Sequence, residues 1–274
     1  MHKIIVALFL FLLTSVTFAK NIDTRELFKE GTISTTFDAS MDSLCFDNKD
    51  FDSSMGYNPF GRVLGLIANT EGACQGMVGV AAAVKMNVEF RPNEEKLSTG
   101  KIKKVLKRAV KLYHQSCGEK VVLPGYSSLK KLCEEHLGTL KKRSVYYNLE
   151  LARKEILPLW KTFFVKNTLK EPEKRTEHLL SELKSIYENL KKGRYPLMLI
   201  RSHVTLVTNF KVKRDSEGYI THVIIRHYDP NVIMSTNQEL YKRAYKFNRD
   251  GSRIKGRLIW DITPTPIFRS YCSK

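Results

Sequence analysis

The last third of the sequence differs from the rest in the spacing of its apolar residues. It contains "YPLMLIRSHVTLVTNF" from residue 195 and "GYITHVIIRHYD" from residue 218, both rich in β-branched and aromatic residues, on either side of the turn-like "KRDSEG". This pattern predicts two antiparallel strands joined as a hairpin. "GRLIWDI" predicts a further strand, with a short helix over about 237–246 before it.

Upstream of residue 195, apolar residues recur at helical spacing. "KIKKVLKRAVKLY" at 101–113 predicts a basic amphipathic helix, and two more helices are expected over 145–165 and 176–192. Another helix is expected to begin near Cys74 and to end before "RPNE", with an apolar face made by Met77, Val80, Ala81, Val84 and Val88. The sequence therefore predicts an α+β fold in which helices precede an antiparallel sheet.

The first nineteen residues have the pattern of a secretory signal peptide. "MHK" is followed by the apolar run "IIVALFLFLLTSV" and by "TFA", which predicts cleavage after Ala19. The apolar run is too short to span a bilayer comfortably, and no later segment offers about 18 uncharged apolar residues. We therefore expect a secreted or periplasmic protein, and an uncleaved anchor is the alternative.

Three further parts are expected after the signal peptide at 1–19. Residues 20–60 form a loop-rich, comparatively acidic arm, for which a propeptide is the weaker interpretation. Residues 61–195 form a helical lobe, in which 91–192 act as an insertion that shapes access to a cleft. Residues 196–274 form an antiparallel β lobe.

The charge of the chain favours anionic partners. Lys and Arg number 46 against 28 Asp and Glu, a formal net charge of +18, and such a surface attracts cell-wall polymer, lipid or nucleic acid. The helix over 101–113 is a candidate contact with an anionic cell wall or membrane, although most basic helix faces are simply solvated. It shows no aromatic stacking pattern, so we expect no specific nucleic acid. We also expect a monomer without cofactor or metal.

The chain has five cysteines, which is an odd number for a protein exported to an oxidising compartment. If one thiol stays free, the other four can pair in three ways, and counting does not identify the free one. Cys74 alone has surroundings suited to a working thiol, because a helix N-terminus favours the thiolate and nearby glycines leave the sulfur open to a substrate. The alternative is a buried small residue or a disulfide partner. With Cys74 free, the disulfide candidates are Cys45, Cys117, Cys133 and Cys272.

A reactive thiol also needs a histidine, and that histidine needs a polar group to orient it. In the hairpin, a turn centred on Ser216 pairs residues whose numbers sum to 432, and His203 then faces Asp229 directly. A turn with Gly218 in the left-handed conformation shifts the sum to 434 and places Asn231 opposite His203, with Asp229 only diagonal. Pro230 is expected to end the strand, which favours Asp229. His227, on the same face as Asp229, is the reserve histidine.

Two blocks of the sequence resemble bacterial papain-like and bacteriocin-processing-type cysteine peptidases. "CQGM" at 74–77, preceded by "NTEG", resembles their nucleophile segment, and "LKKGRYPLMLI", "SHVTLV" and "HYDPN" resemble the part that carries their histidine and aspartate. The match covers about 60 residues. It implies a papain-like fold, in which a helical lobe carrying the nucleophile helix packs against an antiparallel β-sheet lobe.

Carried onto this sequence, the resemblance implies Cys74 as nucleophile, His203 as general base and then acid, and Asp229 as the orienting group. It also implies Asn69 as an oxyanion donor beside the Cys74 backbone N–H, although the family usually has Gln one position further upstream. The expected activity is cleavage of an amide bond in a protein or peptide substrate. A transglutaminase-like acyltransferase or deamidase with the same triad, and a non-catalytic secreted module that binds polyanions, are the alternatives.

Overall fold

The computed structural model describes residues 23–29, 31–46, 74–115, 118–154, 172–200, 203–230, 241–249, 253–255 and 259–261. These residues form an α+β fold of helices and a mostly antiparallel sheet, as the sequence predicts. The predicted signal peptide lies outside the described residues, and so do Asn69, Cys117, Asn231 and Cys272.

All of the described helices lie before residue 197, whereas only three of the described strands do. After a 3₁₀ turn at Thr24–Glu26, the helices are α1 Ala39–Asp42, α2 Cys74–Asn87, α3 Thr99–Gln115, α4 Leu129–Glu135, α5 Leu137–Lys154 and α6 Pro172–Lys191. The strands are β1 Thr32–Ser34, β2 Val88–Arg91, β3 Val121–Pro124, β4 Leu197–Ile200, β5 His203–Arg214, β6 Ile220–Tyr228, β7 Tyr241–Phe247, β8 Arg253–Lys255 and β9 Trp260–Asp261.

The main sheet has seven described strands in the order β8-β7-β6-β5-β4-β9, all paired antiparallel. The seventh strand, β1, pairs with β5 at residues 209–211, beyond the part of β5 that pairs with β4. β2 and β3 form a separate parallel pair. The end of β5 at His203 therefore lies between β4 and β6, in the middle of the sheet.

Two apolar clusters cover the two faces of this sheet. Successive side chains of a strand point to opposite faces, and β4 follows that rule: Leu197 and Leu199 pack with α2, α3, α4 and α5, whereas Met198 and Ile200 pack with α6. Helices thus lie on both faces of the sheet, and α2 is the helix that brings residue 74 to it.

Helix α2 is buried nearly all round, because it contacts α3, α5 and the sheet at once. Its small side chains permit this packing, and a Cβ at Gly79 would overlap the ring of Tyr147 on α5. The helix starts at Cys74 as expected but ends at Asn87, so the prediction that it continues to "RPNE" was wrong. Val88 belongs to β2, whose pairing with β3 overrides the apolar spacing.

The other helices and strands predicted from the sequence agree with the structure in some places and not in others. The basic amphipathic helix is confirmed as α3, with Ile102, Leu106 and Ala109 buried. The short helix over 237–246 was wrong, since Tyr241–Phe247 is a strand. Its alternate side chains Tyr245 and Phe247 are buried against α6, which fits a strand period rather than a helical one. "YPLMLIRSHVTLVTNF" forms two strands, β4 and β5, rather than one.

The N-terminal arm, residues 31–46, is fastened to both the sheet and the helices. Beyond β1, Thr36 shares a hydrogen bond of 3.2 Å with the Tyr195 hydroxyl, and Asp42 forms a 2.7 Å ion pair with Lys85 of α2. A disulfide joins Cys45 to Cys133 of α4, with Cα atoms 5.7 Å apart. Both cysteines are among the four disulfide candidates predicted from the sequence. Within the described part of the chain, no helix is long and apolar enough to cross a membrane.

Candidate active site

Cys74 is the first residue of α2 and carries a free thiol. Its side chain is buried, with 3% of the residue exposed. Backbone N–H groups in the first turn of a helix lack intrahelical partners and carry partial positive charge. The helix therefore holds the sulfur at a defined point and supplies an electrostatic environment suited to a nucleophile.

His203 and Asp229 come together at the end of the β5–β6 hairpin. His203 opens β5 and pairs with Ile200 of β4, and Asp229 follows the last residue of β6. His203 Nε2 lies 2.7 Å from Asp229 Oδ1, and both side chains are about four-fifths buried. The contact fixes the imidazole ring relative to the sheet.

The Cys74 thiol lies close enough to the imidazole to help raise its pKa. Because Nε2 is engaged with the carboxylate, Nδ1 is the nitrogen available for the sulfur. The structure thus brings together three residues that are 129 and 26 positions apart in sequence. In this arrangement a base contacts a nucleophile and a carboxylate orients the base.

The pairing register that favoured Asp229 was wrong, although the contact between His203 and Asp229 exists. Near the site, Leu206 pairs with Tyr228 and Val207 with His227, so residue numbers sum to 434 rather than 432. Gly218 has a φ of +88°, which is the left-handed turn of the alternative prediction. A bulge at Thr208 changes the register, so that the numbers of paired residues sum to 435 between this bulge and Lys213. Asp229 therefore reaches His203 from a diagonal position.

The electrostatics of the site favour a protonated His203. Burial lowers the pKa of this imidazole, but the interactions with Asp229 and Cys74 outweigh that effect and raise the pKa from 6.5 to about 9. A positively charged imidazole between two groups that can carry negative charge is the ion-pair arrangement of an active thiol.

The reserve histidine, His227, has different surroundings. It is 2% exposed on β6, and burial together with the nearby positive charge of Arg243 lowers its pKa to about 4. A histidine that stays neutral at ordinary pH does not form an ion pair with a thiolate. His203, rather than His227, is therefore the histidine that the site brings to Cys74.

Tyr228 contributes to the site in a way that the sequence does not predict. It is fully buried beside Asp229, and burial raises its pKa, whereas the nearby backbone of Leu44 in the arm acts to lower it. The arm therefore lies close to the carboxylate. The neighbour is a backbone group 184 residues away, so no sequence pattern marks this contact.

Two predicted site residues, Asn69 and Asn231, lie outside the described residues. Among the residues that are described, no group of three or more His, Cys, Asp or Glu side chains is placed to hold a metal ion. In comparisons with known proteins, the chain matches no protein-family model, no curated protein and no solved structure.

The raised pKa of His203 predicts a pH-dependent stability. Because the folded-state pKa lies above the ordinary value of 6.5, the protonated ring stabilises the fold fully below pH 6.5, and this contribution is lost as pH rises through 9. We expect the free energy of unfolding of the wild type to exceed that of Asp229→Asn by roughly 1–3 kcal/mol at pH 6. The difference should shrink by pH 9.5.

Urea unfolding at the two pH values measures this difference, and an NMR titration of the His203 ring in both proteins measures the pKa directly. We expect the pKa of His203 to fall in Asp229→Asn. A difference in stability that stays constant with pH would show instead that Asp229 acts only through packing.

Proposed function

We propose that the protein is a papain-like cysteine peptidase that cleaves peptide bonds through a Cys74, His203 and Asp229 triad. The observation that carries the proposal is the His203 ring, which is hydrogen-bonded to Asp229 and whose pKa is raised by that carboxylate and by the nearby Cys74 thiol. The chain order of Cys, His and Asp, the start of α2 at the nucleophile and the antiparallel sheet beneath it also support this activity.

In the proposed mechanism, the Cys74 thiolate attacks the carbonyl carbon of the scissile bond, and the imidazolium of His203 donates its proton to the leaving amine. This step leaves an acyl group in thioester linkage to the sulfur. His203, now neutral, takes a proton from water, which attacks the thioester and releases the carboxylic acid. Asp229 keeps the ring oriented and stabilises its positive charge throughout.

The developing oxyanion needs donors that are already in place. The proposed donors are the backbone N–H of Cys74, which lies in the first turn of α2 and has no intrahelical acceptor, and the side chain of Asn69.

We further propose that the protein works outside the cytoplasm. The Cys45–Cys133 disulfide supports this location, because structural disulfides persist in oxidising compartments. The apolar run near the N-terminus, which has the pattern of a signal peptide, supports it independently.

Selective alkylation of Cys74 tests the proposed nucleophile. An excess of iodoacetamide or of an epoxide affinity label, applied to the folded protein near pH 6, is expected to add one label, located at Cys74 by peptide mass mapping. A thiolate paired with an imidazolium reacts quickly near pH 6, where an ordinary thiol is almost entirely protonated.

The matched control is His203→Ala, which removes the imidazole and is expected to slow the labelling at least tenfold. The labelling rate of denatured protein gives the reactivity of the thiol without help from its folded surroundings. Absence of a Cys74 adduct on the folded wild type, or equal rates in wild type and His203→Ala, would contradict the proposed triad.

Product masses separate peptide-bond hydrolysis from transfer or deamidation by the same thioester. Hydrolysis of a backbone amide yields two shorter chains, deamidation of Gln adds about one dalton, and transfer joins an added amine to the substrate.

A further inference from the structure

One face of the main sheet carries a set of exposed cations beyond the part that the helices cover. Three cross-strand rows run over β5, β6 and β7: Asn209 with Arg226 and Lys242, Lys211 with Ile224 and Ala244, and Lys213 with His222 and Lys246. We call Lys211, Lys213, Arg226, Lys242 and Lys246 the cationic sheet face; all five are exposed.

These cations are not neutralised by the fold. Among the described residues, no carboxylate pairs with any of the five, and the three rows contain no Asp or Glu. The acidic residues near the face along the hairpin are paired elsewhere: Asp215 and Glu217 with Arg249 at 3.2 and 2.7 Å, and Asp229 with His203 at 2.7 Å. Like charges on neighbouring strands repel, so the face lowers the stability of the sheet unless an anion covers it.

The spacing of the cations matches an extended polypeptide. Lys211 and Lys213 are two residues apart on one strand, a distance of about 6.7 Å. An extended peptide repeats its side chains on one side at the same interval of about 6.7 Å, so alternate carboxylates of an acidic segment fall opposite successive cations. The rows contain no Phe, Tyr or Trp on which nucleic-acid bases could stack.

The face also begins close to the candidate active site. Arg226 lies on β6, and Asp229 follows the end of that strand three residues later, roughly 10 Å away along the chain. From there the face continues away from the site to Lys213 and Lys246 at the other end of the hairpin. The face and the candidate site are therefore separated by only a few residues of extended chain.

We propose that the cationic sheet face binds an extended acidic segment of the protein substrate, as a docking surface separate from the triad. The choice of a substrate as the occupant depends on the proposed peptidase function, whereas binding of an acidic polypeptide does not. The contacts are ion pairs between lysine or arginine and carboxylates, and they make the affinity dependent on salt concentration.

Binding of fluorescent poly-L-glutamate to the full chain tests this proposal. Fluorescence anisotropy is measured on Cys74→Ala, so that no cleavage intervenes. Changing Lys211, Lys213 and Lys246 together to Thr, which suits a strand, is expected to weaken binding about tenfold at low salt. The matched control changes Lys101, Lys104 and Lys111 of α3 to Gln, which removes the same charge from another exposed surface, and it is expected to change binding less than about twofold.

Three results would overturn the proposal: no binding by the parent protein, equal losses in the two triple variants, or tighter face-dependent binding of duplex DNA or anionic vesicles. Equal losses would assign the effect to net charge, and the third result would assign the face to phosphates. Labelling of Cys74 is a separate measurement, so failure of the docking surface and failure of the triad are distinguishable.

Discussion

Replacing His203 with alanine is expected to lower kcat/KM for cleavage of a labelled, denatured protein by about ten-thousandfold, and Cys74→Ala by at least as much. In the proposed mechanism the imidazole supplies both the ion pair and the proton for the leaving amine, so no remaining group substitutes for it. Asp229→Ala is expected to cost less, because the imidazole is still present but no longer held at 2.7 Å by a carboxylate.

The control for this experiment is His136→Gln. His136 is a partly exposed histidine between α4 and α5 whose Nε2 lies 2.7 Å from the Tyr126 hydroxyl, far from the triad in sequence and unconnected to it. We expect the His136→Gln protein to keep an activity within a few fold of that of the wild type. A His203→Ala protein that retains its fold and more than a tenth of the wild-type activity would exclude the proposed general base.

Removing the Cys45–Cys133 disulfide is expected to lower the free energy of unfolding by about 4.5 kcal/mol, because it closes a long loop in the unfolded chain. The two cysteines are 88 residues apart in sequence. Urea unfolding of Cys45→Ala/Cys133→Ala against the wild type measures the loss. Alanine suits both positions because Cys133 is buried among apolar side chains.

Reductant provides the control. It is expected to lower the free energy of unfolding of the wild type nearly to that of the double variant. If reductant also destabilises the double variant, a second disulfide is present, for which Cys117 and Cys272 are the candidates. A loss below about 1 kcal/mol would show that the arm is held to the helices by its other contacts alone.

Local patterns in the sequence predicted the parts of the fold that depend on local structure. The start of α2 at Cys74, the basic helix α3 and the strands of the hairpin all follow from the spacing of apolar residues. The end of α2 did not, because Val88 fits a helical stripe equally well, and only its pairing with Val121 of a distant strand makes it part of β2.

Part of the reasoning that led to the candidate site agrees with the structure, and the predicted strand register does not. The start of a helix pointed to Cys74, and the hairpin together with the resemblance to papain-like peptidases pointed to His203 and Asp229, which the structure places in contact. The register was wrong because the turn geometry at Gly218 and the bulge at Thr208 decide it, and neither residue type requires that outcome. The proximity of Leu44 to Tyr228 involves a backbone group, which carries no sequence signal.

The pairing of β1 with β5 has a consequence for the order in which the chain can fold. Thr32 pairs with Lys211, so the first strand is synthesised about 180 residues before its partner. At about 5–20 residues per second, roughly 10–35 seconds pass before the ribosome has made the matching segment. The pairing of β1 with β5 is therefore completed only after most of the chain exists.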